Sequence, residues 1–214
     1  MFKRARQLCL AAALLASGAG FAATPAQLGD FYLAVKLDDP STVRKLLGVI
    51  GDPNGRDPIS GETAMILALR EESARVLPVL LADPAIDLEA TAVNGNTALM
   101  MAAFKSNAAA VTLLIDKGAR VNRTGWNALH YAAAAGSADI VRLLVARKAE
   151  INGPSPSGLT ALMLAAREGQ DSAVQALLAL GADTTLKNNE NMDAIQIARR
   201  ADKERIVEMI KAAR

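Results

Sequence analysis

The stretch Gly125-Trp126-Asn127-Ala128-Leu129-His130-Tyr131-Ala132-Ala133 decides the fold because it recurs. Related blocks stand at Gly61-Glu62-Thr63-Ala64-Met65, Gly95-Asn96-Thr97-Ala98-Leu99 and Gly158-Leu159-Thr160-Ala161-Leu162. A degraded copy lies at Asn191-Met192-Asp193-Ala194-Ile195. Their first residues are 34, 30, 33 and 33 positions apart. A near-constant period of this length marks a solenoid of stacked units and overrides local readings of secondary structure.

Each block has a physical reading. The leading Gly permits the tight turn that ends an extended finger. The Thr two residues on (Thr97, Thr160) caps the helix that follows, because its oxygen accepts an orphan N–H of the first turn. Leu162 and Ala166 lie four apart and share a helix face; small residues there let neighbouring helices approach. After a polar break at Ser106-Asn107, Gly136-Ser137 or Gly169-Gln170, a second apolar stripe follows. Val111, Leu114 and Ile115 in one unit and Val174, Leu177 and Leu178 in another have helical spacing. Gly118 and Gly181 end these helices, and Lys148 stands in the same place in one copy. A pair of short helices with a hairpin-like connection cannot bury its apolar side alone, so it must stack.

These features resemble the ankyrin repeat. The block Asn127-Ala128-Leu129-His130-Tyr131-Ala132-Ala133 is similar to that family's Thr-Pro-Leu-His-x-Ala-Ala motif, with Asn127 for Thr and Ala128 for Pro. Gly181-Ala182-Asp183 matches the family's helix-to-finger junction. The resemblance implies an all-α solenoid of about six stacked helix-turn-helix units with hairpin-like fingers. It also implies a structural role for His130, Gly125, Thr97 and Thr160. Beyond the fold, the chain resembles bacterial periplasmic ankyrin-repeat proteins in layout.

The expected organisation is a signal peptide over 1–22 and one repeat domain over 23–214. Within that domain an N-terminal cap covers 29–60, repeats cover 61–94, 95–124, 125–157 and 158–190, and a C-terminal cap covers 191–214. Lys3, Arg4 and Arg6 precede an apolar run from Leu8 to Ala16, shorter than the roughly 20 residues that span a bilayer. Cleavage would be expected after Ala22, with residues 23–28 a short leader. Pro78 falls inside an apolar helical pattern and is expected to kink or shift that helix. The finger Val121-Asn122-Arg123-Thr124 is three residues shorter than the period requires, which predicts a notch beside Trp126.

Composition narrows the function classes. The chain carries 24 basic and 22 acidic residues. Without residues 1–22 the counts become 21 and 22, so no basic field argues for nucleic acid. The single cysteine, Cys9, lies in the leading segment, so no disulfide framework is expected. One histidine and no further cysteine build no metal cluster, and no phosphate-binding glycine loop is present. No enzyme activity, cofactor or metal is expected.

Aromatic residues are scarce, with one Trp, two Tyr and four Phe. Phe104, Trp126 and Tyr131 nevertheless fall in adjacent repeats, at positions where the family resemblance implies a concave binding groove. They are the candidate partner-binding residues, with Met101 on the same helix row and Arg123, Lys105 and Arg167 flanking as receptors for an acidic partner. The sequence thus leads to a non-enzymatic protein-binding adaptor exported to a bacterial periplasm. Its partner would be an unidentified protein, with no nucleic acid, no membrane after cleavage, and a monomeric state. The alternatives are an immunity-type inhibitor of an exported enzyme and a secreted host-directed effector.

Overall fold

The computed structural model describes residues 23–213, so the segment read as a signal peptide lies outside the described residues. Twelve helices among these residues form six antiparallel pairs. The first members are α1 (Pro25–Lys36), α3 (Ala64–Arg70), α5 (Ala98–Phe104), α7 (Ala128–Ala134), α9 (Ala161–Glu168) and α11 (Ala194–Arg200). The second members are α2 (Pro40–Ile50), α4 (Val76–Leu81), α6 (Ala108–Asp116), α8 (Ala138–Ala146), α10 (Asp171–Ala179) and α12 (Glu204–Ala212). First helices pack on first helices in one continuous row, and second helices make the other row, whose weakest junction is between α4 and α6. The fold is an all-α ankyrin-type solenoid.

Every first helix begins on a side-chain cap: Thr24, Thr63, Thr97, Asn127, Thr160 and Asp193. Residues 23–28, expected as a leader, supply the first of these. Thr24 Oγ1 accepts from Gln27 N at 3.2 Å and Gln27 Oε1 accepts from Thr24 N at 2.8 Å, so α1 starts at Pro25. In the third and fifth units a methionine takes the place of the returning polar side chain. Thr97 N lies 3.5 Å from Met100 Sδ, and Thr160 N lies 3.4 Å from Met163 Sδ.

Small residues set the packing distance. Ala102, Ala103, Ala132, Ala133, Ala165 and Ala166 are completely buried between neighbouring first helices. Leu69 occupies the corresponding place in the second unit and is also buried. Pro78 does not kink its helix. The break before it is longer than expected, so α4 starts at Val76 and Pro78 falls in the first turn, where its missing N–H leaves no bond unmade. The cap of α4 comes from the preceding unit: Asp38 Oδ1 accepts from both Arg75 N and Val76 N at 2.9 Å.

The fingers hold little regular strand; one isolated antiparallel bridge joins Arg56 and Thr63. Four of them close with a backbone bond across the tip: Asp57 N to Glu62 O, Ala92 N to Asn96 O, Ser155 N to Leu159 O and Asn188 N to Met192 O. Asparagines tie successive units together. Asn122 accepts from Glu150 N at 2.9 Å and donates to Lys148 O at 2.7 Å, and Asn152 accepts from Asp183 N at 2.9 Å. Each finger also lies against the glycine of the finger before it. A Cβ at Gly61 would fall 2.7 Å from Val93 Cγ2, and one at Gly158 would fall 2.8 Å from the Asn189 backbone nitrogen.

Gly95 is the exception, with nothing within 4 Å of an added Cβ. The finger that should cover it, 121–124, has bends but no closed turn and no backbone bond across its tip. Gly95 and Gly158 have similar positive φ, +81° and +76°, so alanine strains both backbones alike, by about 1–2 kcal/mol. Gly158→Ala additionally forces Asn189 away, which we expect to cost roughly 1–3 kcal/mol more than Gly95→Ala in urea unfolding. Equal losses would show that finger contact does not fix the repeat pitch.

Candidate protein-binding site

The site is built on the fourth unit. Asn127 Oδ1 accepts from Leu129 N at 3.0 Å and His130 N at 3.3 Å, which fixes the first turn of α7. His130 is buried behind it. Its Nε2 lies 3.0 Å from Leu159 O, and a carbonyl only accepts, so Nε2 carries the proton. Nδ1 lies 3.3 Å from Asn127 N and 2.9 Å from Asn127 Oδ1; burial favours the neutral ring, in which Nδ1 accepts the Asn127 N–H. Both ring nitrogens are committed to the fold, one within the unit and one to the next. Burial pushes the imidazole pKa down, and the carbonyls of Leu159 and Gly153 oppose that only in part.

In front of His130 stands an aromatic cluster. The Trp126 ring meets His130 edge-on at 5.4 Å and Tyr131 at 6.3 Å, and Tyr131 meets Phe104 of the preceding unit at 6.2 Å. All three contacts are T-shaped, the arrangement the ring quadrupoles favour. Phe104 remains 51% and Trp126 37% exposed. Tyr131 is half-buried and its hydroxyl donates to Asn96 Oδ1, across the gap left by the short finger. Burial pushes the Tyr131 phenol up, and the bond to Asn96 offsets part of that. The residue after the finger glycine is buried at Leu159, half-buried at Glu62 and Asn96, and exposed at Trp126, where the finger is short.

The other candidate residues are placed differently. Met101 is half-buried and packs against the core edge. Lys105 pairs with Glu72 at 2.8 Å and Arg167 with Glu168 at 2.9 Å. Arg123 donates to Gly95 O at 3.4 Å. Arg167 lines a surface cavity of about 410 Å³ with Leu159, Glu190, Met192 and Arg200, and none of the three clustered aromatics reaches it. The structure therefore brings Phe104, Trp126 and Tyr131 together, with Lys105 and Arg123 on adjoining positions, and sets Arg167 apart. Sequence reading placed Asn96 on the groove surface but passed over Ile59 and Val93. The last two are finger-tip residues that are 89% and 78% exposed, legible only as apolar residues at turn positions.

A family model described as ankyrin repeats (3 copies) matches residues 31–124, 71–155 and 121–188. This chain belongs to the ankyrin-repeat family. Among solved structures it is similar to the ankyrin repeat domain of Bcl-3, described as a unique member of the IkappaB protein family. That match has a TM-score of 0.70 and 32% identity over 85% of this chain and 81% of the other. Tyrosine-protein kinase HTK16 of Hydra vulgaris is 32% identical over 60% of this chain and 18% of its own length. The B-cell lymphoma 3 protein homolog of Mus musculus is 32% identical over 61% of this chain and 30% of its own. The chain thus spans less than a third of these curated relatives.

These relatives are animal proteins, which overturns the expected kinship with bacterial periplasmic ankyrin proteins. The exported periplasmic adaptor falls with it, as do the immunity-type inhibitor and the secreted effector. The reason is physical: the glycines, caps and paired alanines that carried the resemblance answer to stacking, which is the same in every compartment. No group of three His, Cys, Asp or Glu among the described residues is placed to hold a metal, and no helix among them is long and apolar enough to cross a membrane.

The committed histidine gives a pH prediction. Its folded pKa lies below the ordinary value of about 6.5, so its contribution is complete above that pH and is lost as the pH falls through the folded value. His130→Met places here the residue found at Met100 and Met163. We expect the native chain to lose more melting temperature than this variant between about pH 7.5 and pH 5. Asp57 does not obscure the comparison: burial pushes its carboxyl up, but bonds from Ile59 N, Ser60 and Lys36 outweigh this and hold it low. Parallel pH profiles would contradict the assignment.

Proposed function

We propose that this chain is a protein-interaction scaffold that holds its partner against Phe104, Trp126 and Tyr131. The observation that carries this reading is the exposed edge-to-face aromatic cluster beside Gly95, the glycine that the short finger leaves uncovered. Large aromatic side chains bury much area at small entropic cost, so they anchor interfaces more often than other residues do. Here the rings are already oriented by contacts with one another and by the bond from Tyr131 to Asn96, which lowers the ordering cost of binding. The ankyrin architecture, shared with the Bcl-3 domain at 32% identity, supports a protein as the partner class.

The scaffold acts as a single copy. Its last helix, α12, carries Glu204, Glu208 and Lys211, with Lys211 paired to Glu208 at 2.6 Å, so a charged surface closes that end. A photo-crosslinking amino acid at position 104 or 126, compared with one at exposed Arg142 on α8, tests both points. Protein adducts confined to positions 104 and 126 are expected. Adducts equal at all three positions would remove the aromatic face as the site, and adducts between two copies of this chain would replace the single scaffold with a self-associating one.

A further inference from the structure

The exposed apolar residues of the finger row follow the repeat. Ile59 and Val93 stand two residues before the glycines of their fingers, Trp126 follows the glycine of the short finger, and exposed Pro156 stands two before Gly158. Each of four consecutive units thus presents one apolar group at its finger. The fingers are in contact: Val93 N donates to Gly61 O at 3.0 Å, and Pro156 lies 3.4 Å from a Cβ built on Gly125. Packed helices lie about 8–10 Å apart, so successive fingers are expected at a step of about that length.

A ligand crossing the row must present one side chain per step of that length on one face. A polyproline II segment does so, since three residues make one turn and rise about 9 Å. A β-strand does not, because residues three apart point to opposite faces. Nor do the fingers offer a sheet edge for strand addition, having a single isolated bridge among the described residues. An α-helix presents every seventh residue at about 10.5 Å, but its carbonyls are bonded internally. The Trp126 indole N–H has no acceptor among the described residues, and polyproline II leaves its carbonyls free to supply one.

Charge points the same way. Arg70 pairs with Glu62 and Glu71, Lys105 with Glu72, Arg167 with Glu168 and Arg200 with Glu190, all at 2.6–3.2 Å. Arg123 is turned to Gly95 O. Arg56 bonds only Thr91 and likewise keeps its charge, but the second carboxylate on Arg70 offsets part of this, so the face holds no strong positive field and the complementary ligand is uncharged rather than acidic. We propose that the finger row and aromatic cluster bind an uncharged, proline-rich segment in the polyproline II conformation, with an apolar side chain at every third residue. This rests on the reading of the aromatic face as the partner site.

The test uses three capped synthetic peptides and the emission of Trp126, the sole tryptophan. One is four Pro-Pro-Leu triplets, one has the same composition with its leucines clustered, and one is an alanine-rich helix with leucine at every seventh position. A saturable blue shift with the first peptide alone is expected. Ile59→Asp and, separately, Val93→Asp should weaken it about ten-fold, with less than about two-fold change between low salt and about 0.5 M salt. Ile59 contributes little to the fold, so that variant stays informative if Val93→Asp disturbs the Gly61 contact. A response to the helix instead, or to the clustered control equally, overturns polyproline recognition and leaves the aromatic face standing. Silence from all three peptides overturns it as well; crosslinked adducts at position 126 would then keep the face as the partner site, and their absence would remove both.

Discussion

The contact between each finger's glycine and the finger that follows sets the pitch of the stack. Gly61 meets Val93 and Gly158 meets Asn189 at distances that leave no room for a larger residue without displacement, and Gly125 meets Pro156 in ordinary van der Waals contact. Other features of the fold support that register. Asn122 and Asn152 each bond the backbone of the next unit, Asp38 caps the helix of the unit after its own, and His130 reaches the Leu159 carbonyl. A repeat therefore leaves groups unsatisfied that only a neighbour supplies, which is why stability in such folds is shared between units and their interfaces. Where one finger is too short to make the contact, Gly95 is left open and Trp126 stands at the edge of the gap.

Much of this was legible because stacking writes itself into the sequence at fixed intervals. Gly, Thr, Ala-Ala and the apolar stripes announce caps, turns and helix faces one unit at a time, and the missing residues between Val121 and Gly125 announce the gap. Pro78 was misleading because its effect depends on where the helix begins. That start is fixed by Asp38, nearly forty residues earlier, and local pattern cannot see it. The sulfurs of Met100 and Met163 sit in the capping geometry that His130 fills with nitrogen, a role that a buried methionine does not announce in sequence.

The candidate site was less legible than the scaffold. Phe104, Trp126 and Tyr131 stood out by rarity, and the structure places their rings in one edge-to-face chain. The basic residues beside them were ambiguous, since a sequence does not show that Lys105 faces Glu72 or that Arg167 faces Glu168. Those pairs neutralise two of the rim's three cations, while Arg123 turns to a backbone carbonyl. Compartment was not legible in the repeats at all: their motif residues serve contacts that animal relatives make equally well.

The central claim is that the short finger creates the exposed aromatic face. Acrylamide quenching of Trp126 tests it without any partner. Three residues inserted between Arg123 and Thr124 restore a full-length finger, leaving the helices and the His130 bonds in place. The account predicts that Trp126 becomes less accessible to quencher while the melting temperature is unchanged or higher. Unchanged or greater quenching in a chain that still melts cooperatively would contradict it, because the exposure of Trp126 would then owe nothing to the missing finger.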